Sequence, residues 1–519
     1  MSAPIGGLNV RDAIQSMPSN DAVELVNWIA QQYGVRSRKG YKEWCTGLGA
    51  PVRTVMVYQP DRQNLTNFKL FGVTDAAVKD ITAPSSSPAT SLALPGTDGY
   101  GYFSSTMYAN TAGNFLMCCS HEGGYRYFNG TTWTTPAMGS GAGQIANVDP
   151  GNLCFVASWK RRAWFIEKNS ARVWYLPTDQ IVGAANMLDL GPFMRKGGKL
   201  SFIATWTIDA GEGIDDFIVF GSENGEILIY KGVNPDSASS FSLQGVYYVG
   251  ALPVGRRAYV EMGGDLLILS ELGIQPLSYV TRGGQSMLRS SSVDYLAKIQ
   301  PKLAELVSQY ANVLGWSLTF FPRENFMIVD VPTGVTSQYV QYTLYTNTNT
   351  WCVFNGMPMN GSACIANNQL YFGADDGKVY LGHEGYFDAV PLGQSVGNGI
   401  YGKIQPAYSY FGRVGANKQF LMARPNFMAT DRPSVVCTML ADFQTIPPAG
   451  NPVASAPVGA RWDISKWDEA VWAGALNVFS DWYGVEALGY TGSLVIDTTC
   501  PGDTFLASID YLYETGGVL

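Results

Sequence analysis

Two histidines, His121 and His383, are the chain's whole supply of imidazole, so a Ser-His-Asp arrangement would have to use one of them as its base. Each stands in a glycine-bearing turn, His121-Glu122-Gly123-Gly124 and Gly382-His383-Glu384-Gly385. Both are therefore expected to be exposed turn residues rather than bases oriented by a third group. Adjacent carboxylates occur at Asp215-Asp216 and Asp375-Asp376. Glycosidase chemistry needs two carboxyls facing one bond, whereas these pairs lie before or in hairpin turns, where aspartate bonds its own backbone. The eight cysteines, at 45, 118, 119, 154, 352, 364, 437 and 500, form no C-x-x-C pair. They read as small buried apolar residues in a reducing compartment, and a zinc site is not expected. Cys118-Cys119 in a strand would point to opposite faces. Neither a phosphate-binding G-x-x-x-x-G-K-[ST] loop nor EF-hand spacing is present. No catalytic residue, metal ligand or cofactor site is assigned, and the chain is read as a non-enzyme.

Any functional side chain would have to be positioned by β-hairpins. In Phe217 to Gly232 two β-branched and aromatic runs flank Asn224-Gly225, which offers the two positive-φ positions of a type I′ turn. The pattern recurs. Phe372-Gly373-Ala374-Asp375-Asp376-Gly377-Lys378-Val379 aligns without a gap with Phe220 to Ile227, and Phe71-Gly72-Val73-Thr74-Asp75-Ala76-Ala77-Val78 is a weaker copy. Successive copies lie roughly 150 residues apart, about three units of a four-stranded propeller blade. Further hairpins are predicted in between, turning at Gly123-Gly124, Lys168-Asn169-Ser170 and Glu271-Leu272-Gly273. Six hairpins between about residues 50 and 385 predict a mainly β chain built on a six-bladed β-propeller, with a sandwich as the alternative. From Val293 to Leu314 the period changes to three and four, through Leu296, Ile299, Leu303, Val307 and Tyr310. This predicts an amphipathic helix in an insertion at about 284–315, with Pro301 in its first turn or kinking it, packed on the outside of a blade or on a neighbouring subunit.

Composition narrows the class. Charged residues make up 15% of the chain against roughly 25% in an ordinary soluble domain, which suggests a surface largely covered by partners. The net charge of −8 argues against a reader of nucleic-acid sequence, which needs a basic patch, though not against a channel through which DNA slides. Met1 to Gly7 lacks the basic and apolar regions of a secretory signal, and no run of 18 apolar residues occurs, so a soluble, cytosolically made chain is expected.

In order, residues 1–50 read as an N-terminal arm leading into the propeller, with a short helix near Ser19 or Asn20, or an extended path, after the Met17-Pro18 turn. Residues 51–390 are the propeller, and 391–519 a C-terminal β-rich platform region with a tryptophan-rich ribbon beyond a proline-rich link at 446–457. Asn129-Gly130-Thr131-Thr132-Trp133 and Asn347-Thr348-Asn349-Thr350-Trp351 are polar turns entering a strand at Trp, similar to kelch-type propellers, where the ring packs between blades. Neither matches the Asp box of sialidase-type propellers.

Gly6-Gly7-Leu8-Asn9, Met17-Pro18, Asn27-Trp28 and Gly34-Val35-Arg36-Ser37-Arg38-Lys39-Gly40-Tyr41 resemble the N-terminus of tail hub, or nozzle, proteins of short-tailed (podovirus-type) bacteriophages. Trp462-Asp463 to Trp467-Asp468, Trp472, and Tyr513 to Leu519 look like the C-termini of the same family. The resemblance implies a structural virion protein: a homohexameric ring below the portal and its adaptor that conducts and gates genomic DNA during ejection, supports tail fibres or spikes, uses no cofactor, and is assembled in the bacterial host cytoplasm. Under it, Arg36, Arg38, Lys39, Trp462, Trp467 and Trp472 would meet a neighbouring subunit or an adaptor. Taken alone, the basic cluster reads as a solvated turn and the tryptophans as structural packing. The rival reading is a propeller-type glycan-binding or glycan-degrading tail protein.

Overall fold

A computed structural model describes residues 1–61, 67–209, 214–237, 239–283, 294–335, 339–445 and 476–516. Among them, seven antiparallel meanders follow one another at 54–93, 103–134, 153–189, 200–248, 259–276, 317–354 and 364–382. The fifth has three strands; the seventh gains its fourth from the N-terminal strand Tyr41–Cys45, which pairs antiparallel with Val379–Gly382. All six hairpins read from the sequence lie in these meanders. The sixth meander, Ser317–Phe321, Phe326–Pro332, Tyr339–Tyr345 and Thr350–Phe354, was not counted among them.

Packing between meanders closes a ring. Met56, Phe71, Leu116 and Cys118 join the first to the second; Met117, Cys119, Leu153 and Phe165 join the second to the third. One cluster then spans the third to the fifth, another the fifth to the seventh, and Val52, Val55, Leu70, Ala366 and Leu381 join the seventh back to the first. This is a β-propeller, in which the N-terminal strand closes the circle and removes a sheet edge. Strands with neighbours on both faces read as continuous apolar runs rather than alternating ones, as in Phe326–Pro332, where every residue is buried. Cys118 and Cys119 show the same thing, since their side chains enter the clusters on opposite faces of one strand. Trp133 packs on Phe71 and Phe128, bridging the first and second meanders.

The hairpin turn at Asn224-Gly225 differs from the expected type I′. Gly225 alone has positive φ (+83°), and its N–H donates to Ser222 O at 3.0 Å. The loop is thus a type I turn followed by a left-handed glycine, which needs one positive-φ residue rather than two. The repeat at Ala374 to Gly377 has the same bond, 3.3 Å long.

Between the fifth and sixth meanders the helix Gln300–Tyr310 carries Pro301 in its first turn and buries Leu303 and Val307. It lies along the open edge of Gly273–Pro276, where a fourth strand would otherwise pair. The Gln300 carboxamide takes over part of that pairing: Oε1 accepts from Ile274 N–H (3.1 Å), and Nε2 donates to Ile274 O (3.0 Å) and Leu272 O (2.8 Å).

The N-terminal arm and the C-terminal region fold together. Ala22–Val26 is extended, so no helix starts at Ser19 or Asn20; it runs parallel to Thr350–Phe354 and antiparallel to Asn398–Pro406, which pairs in turn with Gly492–Cys500. A second sheet contains Trp28–Gln31, Gly34–Ser37, the 12-residue strands Thr504–Thr515 and Lys418–Ala429, and then Asn477–Ser480 and Tyr483–Gly489. The two sheets bury Trp28, Val35, Phe427, Leu494, Ile496 and Leu506 in one core that continues into the sixth meander. Platform and propeller thus share one packed core, and within the platform Trp28 is fully buried and tilts against Phe427.

Replacing Gln300 by Ala strips three backbone groups of the fifth meander's edge of their partner. The expected cost is about 1–3 kcal/mol in urea unfolding, with amide exchange at Ile274 accelerated beyond that of the other meanders.

Candidate functional site: the propeller axis and the basic seam

The first strands of the meanders converge on the axis, and the backbone carbonyls at their starts need donors. Two adjacent arginines supply them. The Arg257 side chain is partly buried, with Nη1 donating to Gly361 O (2.6 Å) and Arg53 O (3.1 Å), and Nη2 to Thr54 Oγ1 (2.5 Å) and Phe103 O (3.1 Å). Its own carbonyl accepts from Leu318 N–H at 3.0 Å. Arg256, at φ +61°, donates from Nη1 to Cys154 O at 3.0 Å. Together the pair ties the fifth meander to the first, second, third, sixth and the approach to the seventh. Burial pulls the Arg257 pKa below its ordinary value, and a guanidinium stays charged there because its intrinsic pKa is so high.

The charge around this hub is largely matched. Arg53 pairs with Asp75 (3.0 Å), reaches Asp98 (3.4 Å) and lies 3.9 Å from Asp375, with its guanidinium over the Tyr102 ring. Asp375 accepts from Tyr339 Oη (2.6 Å) and Asn360 Nδ2 (3.0 Å). It is therefore part of the axial network as well as of a turn, while Asp376 keeps the turn role expected of it, accepting from Lys378 N–H at 3.1 Å. Asp330 is buried beside the hub; Oδ2 accepts from Ser317 Oγ at 2.7 Å and Oδ1 meets no donor among the described residues. Burial raises its pKa to about 7. The arginines are held by carbonyls and the aspartates by neighbouring donors, so the arrangement fastens strands together. Among the described residues no group of three or more His, Cys, Asp and Glu could hold a metal ion.

The basic cluster lies at the seam between propeller and platform. Arg38 is fully buried: Nη1 and Nη2 bind Asp388 at 2.7 and 2.6 Å, Nε donates to Asn27 Oδ1 (2.8 Å), and Nη2 also donates to Asn355 O (3.0 Å). Asn27, left-handed at φ +60°, donates from Nδ2 to Asn355 O (2.9 Å) and Tyr401 O (2.7 Å). Arg38, expected as a subunit or adaptor contact, is thus placed inside the chain, where its charge is matched. Arg36 forks onto Asp503, with Nε 2.7 Å from Oδ1, and Lys39 pairs with Glu324 at 2.9 Å; both keep part of their side chains in solvent. Trp462, Trp467 and Trp472 lie outside the described residues. His121 is half-exposed against Glu122, as its turn suggests. His383 is not exposed. It is 7% accessible, packed edge-on against Phe326 and Phe321, with Nε2 3.3 Å from Glu324, because its turn folds under the sixth meander. Burial lowers its pKa. Gly255-Arg256-Arg257 escaped the sequence reading; the one available signal was two adjacent arginines in a chain poor in charge.

No protein-family model matches the chain, and no curated protein matches its sequence. Among solved structures it is similar to BBS1N in complex with ARL6DN (11% identity, 66% of this chain and 97% of that one, TM-score 0.42). It is similar also to the β-propeller domain of Cps50 (Swd1) from Myceliophteria thermophila (8%, 67% and 98%, 0.37) and to Saccharomyces cerevisiae Sqt1 (13%, 74% and 95%, 0.34). Likenesses this distant carry no argument, and the propeller assignment rests on strand pairing, the closed circuit of core clusters and the arginine hub.

Arg257→Met would take the guanidinium from three backbone carbonyls at the axis, Arg53 O, Gly361 O and Phe103 O, and is expected to cost more than about 3 kcal/mol in equilibrium unfolding. Arg257→Lys should recover less than half of that, because one ammonium cannot span the same acceptors. A second expectation concerns pH. The folded chain holds a proton on Asp330 up to about pH 7, whereas the unfolded chain releases it near the ordinary carboxylate value of about 3.9. Folding stability from this group is full below about pH 4 and is lost as pH rises through 7, at about 1.4 kcal/mol per unit. The melting temperature of wild type relative to Asp330→Asn should therefore fall between pH 5 and pH 8; a rise would mean that the carboxylate is ionised and paired.

Proposed function

We propose that the chain is a structural virion protein, a tail nozzle or hub subunit of a short-tailed bacteriophage, made in the bacterial host cytoplasm and residing in the virion tail. Six copies form a ring that extends the portal-adaptor channel, conducts and gates DNA during ejection, and supports fibres or spikes. The observation that carries the reading is that the N-terminal resemblance segment pairs with the strand whose last residues, Tyr513 to Thr515, begin the C-terminal one. Gly34–Ser37, from the N-terminal motif, pairs with Thr504–Thr515, the strand that leads into the C-terminal one, and Arg36 reaches Asp503 across 467 residues of sequence. Two segments that resemble one family thus belong to one platform.

The axis supports the same reading. Arg256 and Arg257 draw the inner strands together, so a duplex would run through a lumen lined by several copies rather than along one propeller's axis. In this reading the propeller is a wall element with seven blades, where the hairpin count predicted six. The net charge of −8 per chain, multiplied around a ring, would repel phosphates and let DNA slide without sticking. No helix among the described residues is long and apolar enough to cross a membrane.

Light scattering and negative-stain imaging of the purified protein, with and without the cognate portal and adaptor, test the proposal. The expected outcome is a ring of about six subunits with a DNA-wide hole, formed alone or when templated by the adaptor. A monomer that ignores both partners and cleaves isolated polysaccharide overturns it in favour of the glycan-degrading alternative.

A further inference from the structure

A second feature lies where the platform meets the sixth meander. The tight turn Gln32-Tyr33 joins Trp28–Gln31 to Gly34–Ser37, and beside it runs a groove of about 510 Å³ lined by Gln31, Gln32, Tyr33, Tyr345, Asn347, Thr348 and Phe505. Its walls are fixed. Thr348 Oγ1 donates to Ala30 O at 3.0 Å, locking the turn after Tyr345 onto the hairpin, and Asn347 Nδ2 donates to Tyr345 Oη at 3.0 Å. The floor is equally constrained, because a Cβ on Gly34 would lie 2.5 Å from the Phe505 ring; only glycine lets the hairpin lie this close to it.

The lining has a distinct chemistry. Three aromatic rings stand among three carboxamides and a hydroxyl, with no charged side chain. Tyr33 is 77% exposed at the rim. The Gln31 and Gln32 amides make no hydrogen bond to another described residue. An anionic polymer would need cations here, and a metal ion would need carboxylates or imidazoles. Aromatic faces beside open donor-acceptor amides instead match a ligand with apolar C–H faces and a rim of neutral hydroxyls, each amide both giving and accepting a bond.

We propose that this groove binds a neutral oligosaccharide, with Tyr33 as the stacking platform and Gln31 and Gln32 as the hydroxyl readers. The site lies on a single chain and needs no ring, so it stands or falls separately from the conduit reading.

The test is binding of the full-length protein to a printed array of neutral polysaccharides and to maltohexaose, cellohexaose and N-acetylchitohexaose, followed by saturation-transfer NMR. Binding to at least one probe is expected, unchanged between 50 and 500 mM salt, weakened at least tenfold in Tyr33→Ala and Gln32→Ala, and retained in Tyr33→Phe. Both truncated side chains are exposed, so the melting temperature should not move. Absence of binding to every probe overturns the proposal, as does binding that persists in Tyr33→Ala or is confined to charged, salt-sensitive glycans. Capture of a protein partner through Tyr33 in place of any glycan also overturns it.

Discussion

Strands that radiate from one axis crowd their first backbone carbonyls into a space that water cannot fill freely, and each buried carbonyl left without a donor costs about 1–3 kcal/mol. Arg257 resolves this at the centre of the propeller. A guanidinium has five N–H donors in a rigid plane, so one side chain can bind oxygens from several strands at once. Four bonds from its Nη1 and Nη2, and one accepted by its carbonyl, pass between the fifth meander and its neighbours across the ring. The charge has no carboxylate in contact, but it donates to three carbonyl oxygens and lies over the face of the Tyr102 ring. A ring of hairpins without this hub would have inner ends competing for solvent and little to define their spacing.

The same economy appears at the outer circumference and at the seam. The ring is closed by a strand from the other end of the chain, so the N-terminal segment must be in place before the seventh meander has its full edge. That segment is itself anchored by Asn27, Trp28 and Arg38, which tie the end of the sixth meander to the platform. The fifth meander lacks a fourth strand and is finished by a glutamine side chain from a helix. In each case an edge or a buried polar group is satisfied by a residue distant in sequence, which makes the molecule one cooperative body rather than a string of independent blades.

The propeller's centre holds its own strands together, its two arginines bonded to backbone carbonyls and a threonine hydroxyl of neighbouring meanders. An open groove lies where the platform meets the sixth meander, beside the pairing of Gly34–Ser37 with Thr504–Thr515.

Local patterns in the sequence determined much of the architecture. The Phe-Gly turn repeats marked hairpins, because a glycine turn between β-branched runs has few other solutions, and the three-and-four spacing around Leu303 and Val307 marked the helix with Pro301 in its first turn. Adjacent Cys118 and Cys119 face opposite sides of a strand, as the two-residue period of a strand requires. The sixth meander was harder to see, because one of its turns runs through Pro322-Arg323-Glu324 to a left-handed Asn325 rather than a glycine. Only the tertiary structure decided which polar residues are internal. Arg38 read as a solvated cation and His383 as a turn residue, Asp375 looked like local turn chemistry, and Arg257 gave no signal beyond the arginine next to it. A residue's spacing records which face of its own element is apolar, whereas burial and charge pairing depend on what a chain hundreds of residues away brings against that face.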